Sequence, residues 1–208
     1  MDGAKSYHHK DLRSTLLQAA EAELIDKGLE HFSLRGIARR AGVSHAAPAH
    51  YFQDVDSLVT ALGALAFGRF RDVLAAAVAG EDPAEDLVAI GLAYIRYAEA
   101  QPDIFNLQFI SDRPNREDPD FKGSANACFA VMRGRVEAFA CQNSWNAEEA
   151  EDLAATLWAT THGLATLFAI NRRRAFAQMS DAERYQTFAR ILRRLVQPKQ
   201  TVSPLKSC

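Results

Sequence analysis

Residues 33–52 of the chain are SLRGIARRAGVSHAAPAHYF, and this stretch decides the fold. Ser33 is a predicted helix N-cap, because its hydroxyl can accept from a backbone N–H of the first turn. Gly42 supplies the positive φ that a sharp corner between two short helices requires, and Val43 can fill that corner. Ser44 is the predicted cap of the second helix. The stretch therefore predicts a helix-turn-helix.

The two faces of this predicted corner differ in composition. The inward face is apolar and consists of Leu34, Ile37, Ala38 and Ala41, followed by Pro48 and Phe52. The outward face of the second helix has small and polar residues, which let a helix enter the DNA major groove closely: His45, Ala46, Ala49 and His50. The corner thus predicts one face for the core and one for DNA.

Basic side chains flank the outward face. Arg35, near the start of the first helix of the corner, can reach a base edge or a phosphate. Arg39 and Arg40 add positive charge there. Contacts along the DNA backbone are predicted for three residues of the preceding helix: Lys5, Lys10 and Arg13.

Composition limits the class of protein. The chain has 208 residues, of which 48% are hydrophobic, enough for one or two compact domains. A net charge of -2 and a pI near 6.3 exclude nucleic-acid binding by bulk charge, so a local group must do it. The N-terminus has no secretory pattern, and no apolar run approaches the roughly 18 residues of a membrane span. We expect a soluble, cytoplasmic protein without membrane contacts.

Helical periodicity dominates the whole chain, so the predicted fold class is all-α. Nine helices are predicted: one through Leu12–Ile25 that stops at Gly28, 34–41, one after Ser44, one from Asp54 or Asp56 to about Gly80, 83–101, one from Asp103, 120–142, 147–172 and 181–196. Pro48 removes a backbone donor from the helix after Ser44, so we expect that helix to be irregular. Cys128 and Cys141 would lie roughly 20 Å apart on one helix, which excludes a disulfide between them.

The chain from about Leu12 to Leu58 resembles the N-terminal region of TetR-type, AcrR-like transcriptional regulators. Their pattern is a helix, then Thr or Ser-x-Arg-x-Ile-Ala, Ala-Gly-Val-Ser and an aromatic-x-His-Phe ending. The resemblance implies DNA contacts by Ser33, Arg35, Ser44, His45, Ala46, Ala49, His50 and Tyr51.

Three positions depart from the family pattern. Where the family has Tyr, His and Lys near the end of the recognition helix, this chain has Ala49, Tyr51 and Val55. The Tyr51 hydroxyl can still reach a phosphate, but Val55 cannot replace a basic contact. We therefore expect DNA binding that is weaker, or differently distributed, than the family norm.

A second resemblance lies in the C-terminal half. Trp158 to Leu167, with His162-Gly163 inside it, is similar to the Trp-His-Gly signature of one TetR-type C-terminal domain. It implies a pocket for a small effector, with bulky apolar walls and a few polar tips: Tyr94, Tyr97, Phe105, Phe109, Phe129, Trp158 and His162. The alternative is that these aromatic residues are ordinary core and that His162 is a hydrogen-bonded interior histidine.

The resemblance also implies a domain order and an oligomeric state. Residues 1–58 are the predicted three-helix DNA-binding domain, 59–197 a helical bundle for ligand binding and dimerisation, and 198–208 a flexible tail. The last two long helices carry more apolar surface than one bundle uses, which predicts a homodimer. The run Arg172-Arg173-Arg174 is interpreted as a favourable cation cluster at a helix C-terminus.

We therefore expect a repressor that binds a palindromic double-stranded DNA operator and is released by a small apolar effector. The alternatives are a helical enzyme and an effector-free module that binds a protein partner. The sequence has no His-Glu-x-x-His, no Glu-x-x-His pair, no Gly-rich phosphate loop and no cysteine pair at metal spacing. No cofactor, metal or catalytic activity is predicted.

Overall fold

The structure, a computed structural model, describes the backbone of residues 3–169 and 179–197 and the side chains of residues 12–167 and 179–197. Over these residues the chain forms eight α-helices, two short 3₁₀ turns (Leu29–His31 and Pro48–His50) and no strand. The helices are α1 (Gly3–Lys27), α2 (Leu34–Arg40), α3 (Val55–Ala76), α4 (Pro83–Ala100), α5 (Pro102–Phe109), α6 (Pro119–Gln142), α7 (Ala147–Ala169) and α8 (Asp181–Leu195). The all-α prediction is confirmed.

The chain packs as two compact units. Unit 1 comprises residues 1–72 and 97–129, and unit 2 comprises residues 73–96 and 130–208. These units are defined by packing. The division into a DNA-binding domain (1–58), a ligand-binding and dimerisation domain (59–197) and a tail (198–208) concerns function and stays a prediction.

The core of unit 1 contains the apolar faces that the sequence predicts. Leu16, Ala20 and Leu24 are buried on α1, and Ile37 and Ala38 are buried on α2. Leu58, Leu62 and Phe70 of α3 belong to the same set of fully buried residues. The spacing of three and four residues thus identifies the buried side of each helix.

A buried ion pair connects α1 to α2. The side chain of Glu23 is only 2% exposed, and its carboxylate accepts from Lys27 Nζ and from Arg40 Nε, the latter at 2.8 Å. Arg40 also donates to Asp26. A Cβ at Gly36 would lie 2.6 Å from Glu23 Oε1, so any side chain there would require the carboxylate to shift.

The corner after α2 has the predicted caps at both ends of the helix. Ser33 Oγ accepts from Gly36 N–H at 3.2 Å and so caps the start of α2. At the end, Gly42 has φ 69°, Gly42 N–H donates to Arg39 O, and Val43 N–H donates to Ala38 O. This pair of bonds is a Schellman motif, which satisfies the last carbonyls of α2.

The prediction of a helix after Ser44 is wrong in one respect. Residues 45–47 form turns, and the segment ends in a single 3₁₀ turn, Pro48–His50, in place of an α-helix. Ala47 N–H donates to Ser44 O and Tyr51 N–H to Pro48 O, both with three-residue spacing. Pro48 has no N–H for an α-helical bond, and its ring is buried, so the tighter turn is favoured.

The helix predicted to end near Gly80 ends earlier, at Ala76. The reason is Asp86, a buried carboxylate on α4 that accepts from Ala79 N–H at 2.8 Å and from Gly80 N–H. Burial alone would raise the pKa of Asp86, but these N–H donors and the Arg135 guanidinium hold it below its usual value. The carboxylate therefore draws residues 79–80 away from the helical path.

Unit 2 has one core formed by four helices. Its buried residues are Leu87 and Val88 of α4, Val136 and Phe139 of α6, Leu153, Ala154 and Leu157 of α7, and Ala189, Leu192 and Val196 at α8. Cys128 and Cys141, both on α6, are free thiols as predicted. Cys208, Arg172-Arg173-Arg174 and the predicted tail 198–208 lie outside the described residues.

The buried ion pair generates a prediction about stability. The hydrogen bond from Lys27, opposed by burial and assisted by Arg40, holds the pKa of Glu23 below its ordinary value of 4.5. Glu23→Gln should lower the free energy of unfolding at pH 7 by about 1–3 kcal/mol, because both cations lose a charged acceptor. A lowered pKa stabilises only the ionised form, so this difference should shrink as the pH falls below about 4.5.

Denaturant unfolding at pH 7 and at pH 3.5 measures both effects. The matched control is Glu30→Gln, since Glu30 is an exposed glutamate of the same unit. A difference between wild type and Glu23→Gln that is the same at both pH values contradicts the proposed role of the charge.

Candidate functional site

The predicted DNA-binding residues lie on the outer surface of unit 1. Seven of the eight side chains are exposed: Ser33, Arg35, Ser44, His45, Ala46, Ala49 and His50. Tyr51 is half-buried. Because Pro48 and Phe52 are buried on the opposite side, the segment 44–51 is anchored by its apolar residues and presents its polar ones.

Arg35 and Arg40 of α2 have different surroundings, which corrects one expectation. Arg35 is exposed on α2, whereas Ile37 and Ala38 of the same helix are buried. Arg40, expected to add positive charge for DNA, is held by Glu23 and Asp26 instead. Arg39 is exposed. Among the cations of α2, Arg35 and Arg39 are therefore the better candidates for DNA contacts, because the charge of Arg40 is already paired with two carboxylates.

An open groove of about 910 Å³ begins beside the segment 44–51 in unit 1. Tyr51 and Phe52 line one end, and the Arg13 guanidinium lies 5.6 Å from the centre of the Phe52 ring. Its walls carry several carboxylates, among them Asp54, Asp56, Asp118 and Asp120. Carboxylates repel phosphates, but Arg13, Arg69 and Arg71 line the same groove, so its charge is mixed. The side chains of Lys5 and Lys10 lie outside the described residues.

The predicted effector-pocket residues divide between the two units. Tyr97, Phe105, Phe109 and Phe129 belong to unit 1. There the Tyr97 ring stacks on Phe70 with ring centres 4.2 Å apart, and Phe105 and Phe109 lie 4.8 Å apart. Phe129 is half-buried in the same unit. Phe70, Tyr97, Phe105 and Phe109 thus form an aromatic cluster within unit 1.

The other predicted pocket residues, Tyr94, Trp158 and His162, belong to unit 2. The Tyr94 hydroxyl and His162 Nδ1 share a hydrogen bond of 2.8 Å, and the Trp158 ring lies 5.5 Å from the His162 ring. Burial lowers the pKa of His162, so the neutral imidazole is favoured. The structure thus gives His162 a hydrogen-bond partner within its own unit, while a pocket role for it stays a prediction.

Two polar residues near these sites were missed by the sequence reasoning. Gln108 is fully buried on α5, and Tyr97 Oη donates to its Oε1 at 2.9 Å. Arg113 donates to Asp56 Oδ1 at 2.7 Å and to the Leu29 carbonyl at 3.2 Å. The position of Gln108 within the mostly apolar stretch 104–109 could have indicated a buried polar residue. Arg113 lies in a polar loop, where no periodicity distinguishes one arginine from another.

Among the residues that the structure describes, no group of three or more His, Cys, Asp or Glu side chains is placed to hold a metal ion. Within that same part of the chain, every helix is too short or too polar to cross a membrane.

Family models match both halves of the chain. Residues 16–62 match the family described as bacterial regulatory proteins, tetR family. Residues 87–195, more than half of the chain, match the family described as tetracyclin repressor-like, C-terminal domain. Comparison with curated proteins gives no match.

Solved structures share the fold over nearly the whole chain. A protein of unknown function from Rhodococcus sp. RHA1 is 28% identical, with 88% of this chain and 94% of that chain covered and a TM-score of 0.76. A TetR family transcription regulator from Marinobacter aquaeolei VT8 is 16% identical, with 91% and 97% covered and a TM-score of 0.66. The fatty acid degradation regulator FadR from Bacillus halodurans is 13% identical, with 86% and 97% covered and a TM-score of 0.66.

The exposed position of Arg35 generates a prediction about DNA. Arg35→Ala should weaken operator binding by about 1–3 kcal/mol if the guanidinium contacts a base, and it should leave the fold intact. Fluorescence anisotropy with labelled operator DNA measures the affinity. Arg133→Ala, at an exposed arginine of unit 2, is the control and should bind as wild type does. Unchanged binding by folded Arg35→Ala would remove Arg35 from the site.

The half-buried His162 generates a prediction about pH. Because its pKa is lowered in the folded protein from an ordinary value of 6.5, the unfolded chain binds the proton more readily. The free energy of unfolding should therefore rise between pH 5 and pH 7, and His162→Gln should reduce that rise. Denaturant unfolding across this range measures the slope. If the free energy of unfolding of His162→Gln depends on pH as steeply as that of wild type, the lowered pKa of His162 is not the cause of the rise.

Proposed function

The chain belongs to the TetR family of bacterial regulatory proteins, and on that premise we propose that it is a homodimeric repressor. It binds a palindromic DNA operator through Arg35 and the segment 44–51. A small, largely apolar effector binds among the predicted aromatic residues and releases the DNA. The observation that carries the proposal is the helix-turn-helix corner, whose apolar face is buried and whose polar face is exposed.

The shape of the corner supports DNA reading. The exposed residues of the segment 44–51 are small or short, so its backbone can approach base edges closely. Val55 at the start of α3 offers no positive charge to a phosphate, and the carboxylates of the neighbouring groove oppose one. Binding therefore depends on Arg35, Arg39 and the polar groups of the segment, and modest affinity is expected.

The surface of α7 supports a homodimer. Ala155, Ala159, Gly163 and Leu167 follow one another at four-residue spacing along one side of this helix. Ala155 and Ala159 are exposed, and Leu167 is 50% exposed, whereas Leu157 and Ala165 face the core of unit 2. Small residues on an i, i+4 ridge allow close helix approach, and a second copy of α7 would cover Leu167.

The effector is expected to be apolar because aromatic rings dominate both groups of predicted pocket residues. Release of DNA requires that the effector bind a second conformation of the dimer more tightly than the DNA-bound conformation. In that second conformation the two copies of the segment 44–51 are not spaced to match the two operator half-sites. Any ligand that binds both conformations equally would leave operator occupancy unchanged.

A gel-shift experiment with the DNA that flanks the coding region of this protein tests the function. Wild type should shift this DNA as a dimer, and footprinting should show two half-sites about one helical turn, or a multiple of it, apart. No shift at micromolar protein and low salt would contradict the proposal.

The α7 ridge generates a prediction about assembly. Ala159→Glu should convert the dimer to a monomer, because it places an unpaired charge where two helices meet. Operator affinity should fall with it, since each half-site would be bound alone. Light scattering measures the mass, and Ala130→Glu, the same change at an exposed alanine of α6, is the control. Wild type that is monomeric at micromolar concentration would rule out the dimer.

A further inference from the structure

Gln108 in unit 1 has an unpartnered polar atom. Its side chain is fully buried on α5, Tyr97 Oη donates to Oε1, and Nε2 has no hydrogen-bond partner among the described residues. Exchanging the amide N and O would only transfer the deficit to the oxygen, because Tyr97 offers one hydroxyl. Buried polar groups are nearly always satisfied, so one partner of this amide is absent.

The surroundings of the Tyr97–Gln108 pair are aromatic. Tyr97 stacks on Phe70, and Phe109 meets Phe70 edge-on with ring centres 6.1 Å apart. Phe109 also meets Phe67 edge-on at 5.3 Å. Aromatic rings give an amide N–H no strong acceptor, so the absent partner must come from outside these side chains. Phe109 is only half-buried, which places the cluster near solvent on that side.

The polar groups of this cluster are uncharged. Burial raises the pKa of the Tyr97 hydroxyl far above neutrality, and burial raises the pKa of the Cys128 thiol to about 12. The carboxylate and guanidinium that influence the pKa of Tyr97 belong to Glu21 and Arg69, which pair with each other at 2.6 Å. A charged ligand would lose its hydration here without gaining an opposite charge.

We propose that Gln108 is the hydrogen-bonding residue that determines effector specificity, and that the effector is an uncharged, mainly aromatic molecule with one hydroxyl or carbonyl group. This group supplies the partner that the buried amide lacks, while the rings of unit 1 contact the apolar part of the molecule. The proposal rests on the proposed function, since it assigns the ligand class of the predicted effector site.

Three probes of similar shape test the ligand class on the wild-type protein. They are 2-naphthol, naphthalene, which has no polar group, and 2-naphthoate, which is charged at pH 7. Isothermal titration of the full chain without DNA should show that 2-naphthol binds about tenfold or more tightly than either other probe. Naphthalene has no group to pair with the amide, and 2-naphthoate would have to bury a charge.

Variants of α5 test the residue. Gln108→Met and Gln108→Leu replace the amide with an apolar side chain of similar size, so each variant should bind 2-naphthol no more tightly than naphthalene. Asn106→Met is the matched control, because Asn106 is an exposed amide on the same helix, and it should keep the wild-type preference. Near-ultraviolet circular dichroism checks that each variant is folded.

Several outcomes would overturn the proposal: no binding of 2-naphthol to wild type, equal binding of 2-naphthol and naphthalene, or a folded Gln108→Met that keeps the preference. The last result would mean that a buried water satisfies the amide. Operator binding is measured separately by gel shift. Wild type that binds operator without probe selectivity refutes only the role of Gln108, and selectivity without operator binding refutes the proposed function instead.

Discussion

The carboxylate of Glu23 lies buried between α1 and α2, and a buried charge is tolerated only where opposite charges and donors surround it. Lys27 and Arg40 supply them, and Arg40 continues to Asp26. The α2 backbone can approach because Gly36 has no side chain to strike the carboxylate. Together with the burial of Ile37 and Ala38, this contact holds α2 on α1, and the orientation of the corner that follows depends on that packing.

The corner that follows this contact leaves a set of polar residues exposed on the surface. Once Ile37 and Ala38 are buried, the helical period leaves Arg35 and Arg39 outside. The Schellman motif at Gly42 then turns the chain, and Pro48 and Phe52 anchor the next segment to the core. A short 3₁₀ turn is sufficient for this purpose, since two buried anchors hold the polar residues between them in place. A full recognition helix is not required for an exposed polar face to form.

Unit 1 contains both this surface and four of the seven predicted sensing residues. Arg113 follows α5 in the chain and donates to Asp56, at the start of α3, and to the carbonyl of Leu29, between α1 and α2. Asn115 N–H donates to Thr60 Oγ1 of α3 at 2.9 Å. Displacement of α5 by a ligand would therefore act on contacts made to α3 and to the turn that precedes α2. A chain of packed and hydrogen-bonded groups of this kind is the physical requirement for coupling between two sites.

The sequence by itself determined the helical class, the buried faces of α1 and α2, the cap at Ser33 and the turn at Gly42, because each depends on residues within one or two turns of one another. It also identified the family from local motifs. It was incomplete where the deciding partner is distant in sequence. Arg40 was expected to add positive charge for DNA, but it pairs with Glu23, and α3 ends before Ala79 and Gly80, whose amides donate to Asp86. The tertiary structure alone divided the predicted pocket residues between two units and left the Gln108 amide short of a partner, since burial and hydrogen-bond satisfaction are properties of the packed chain.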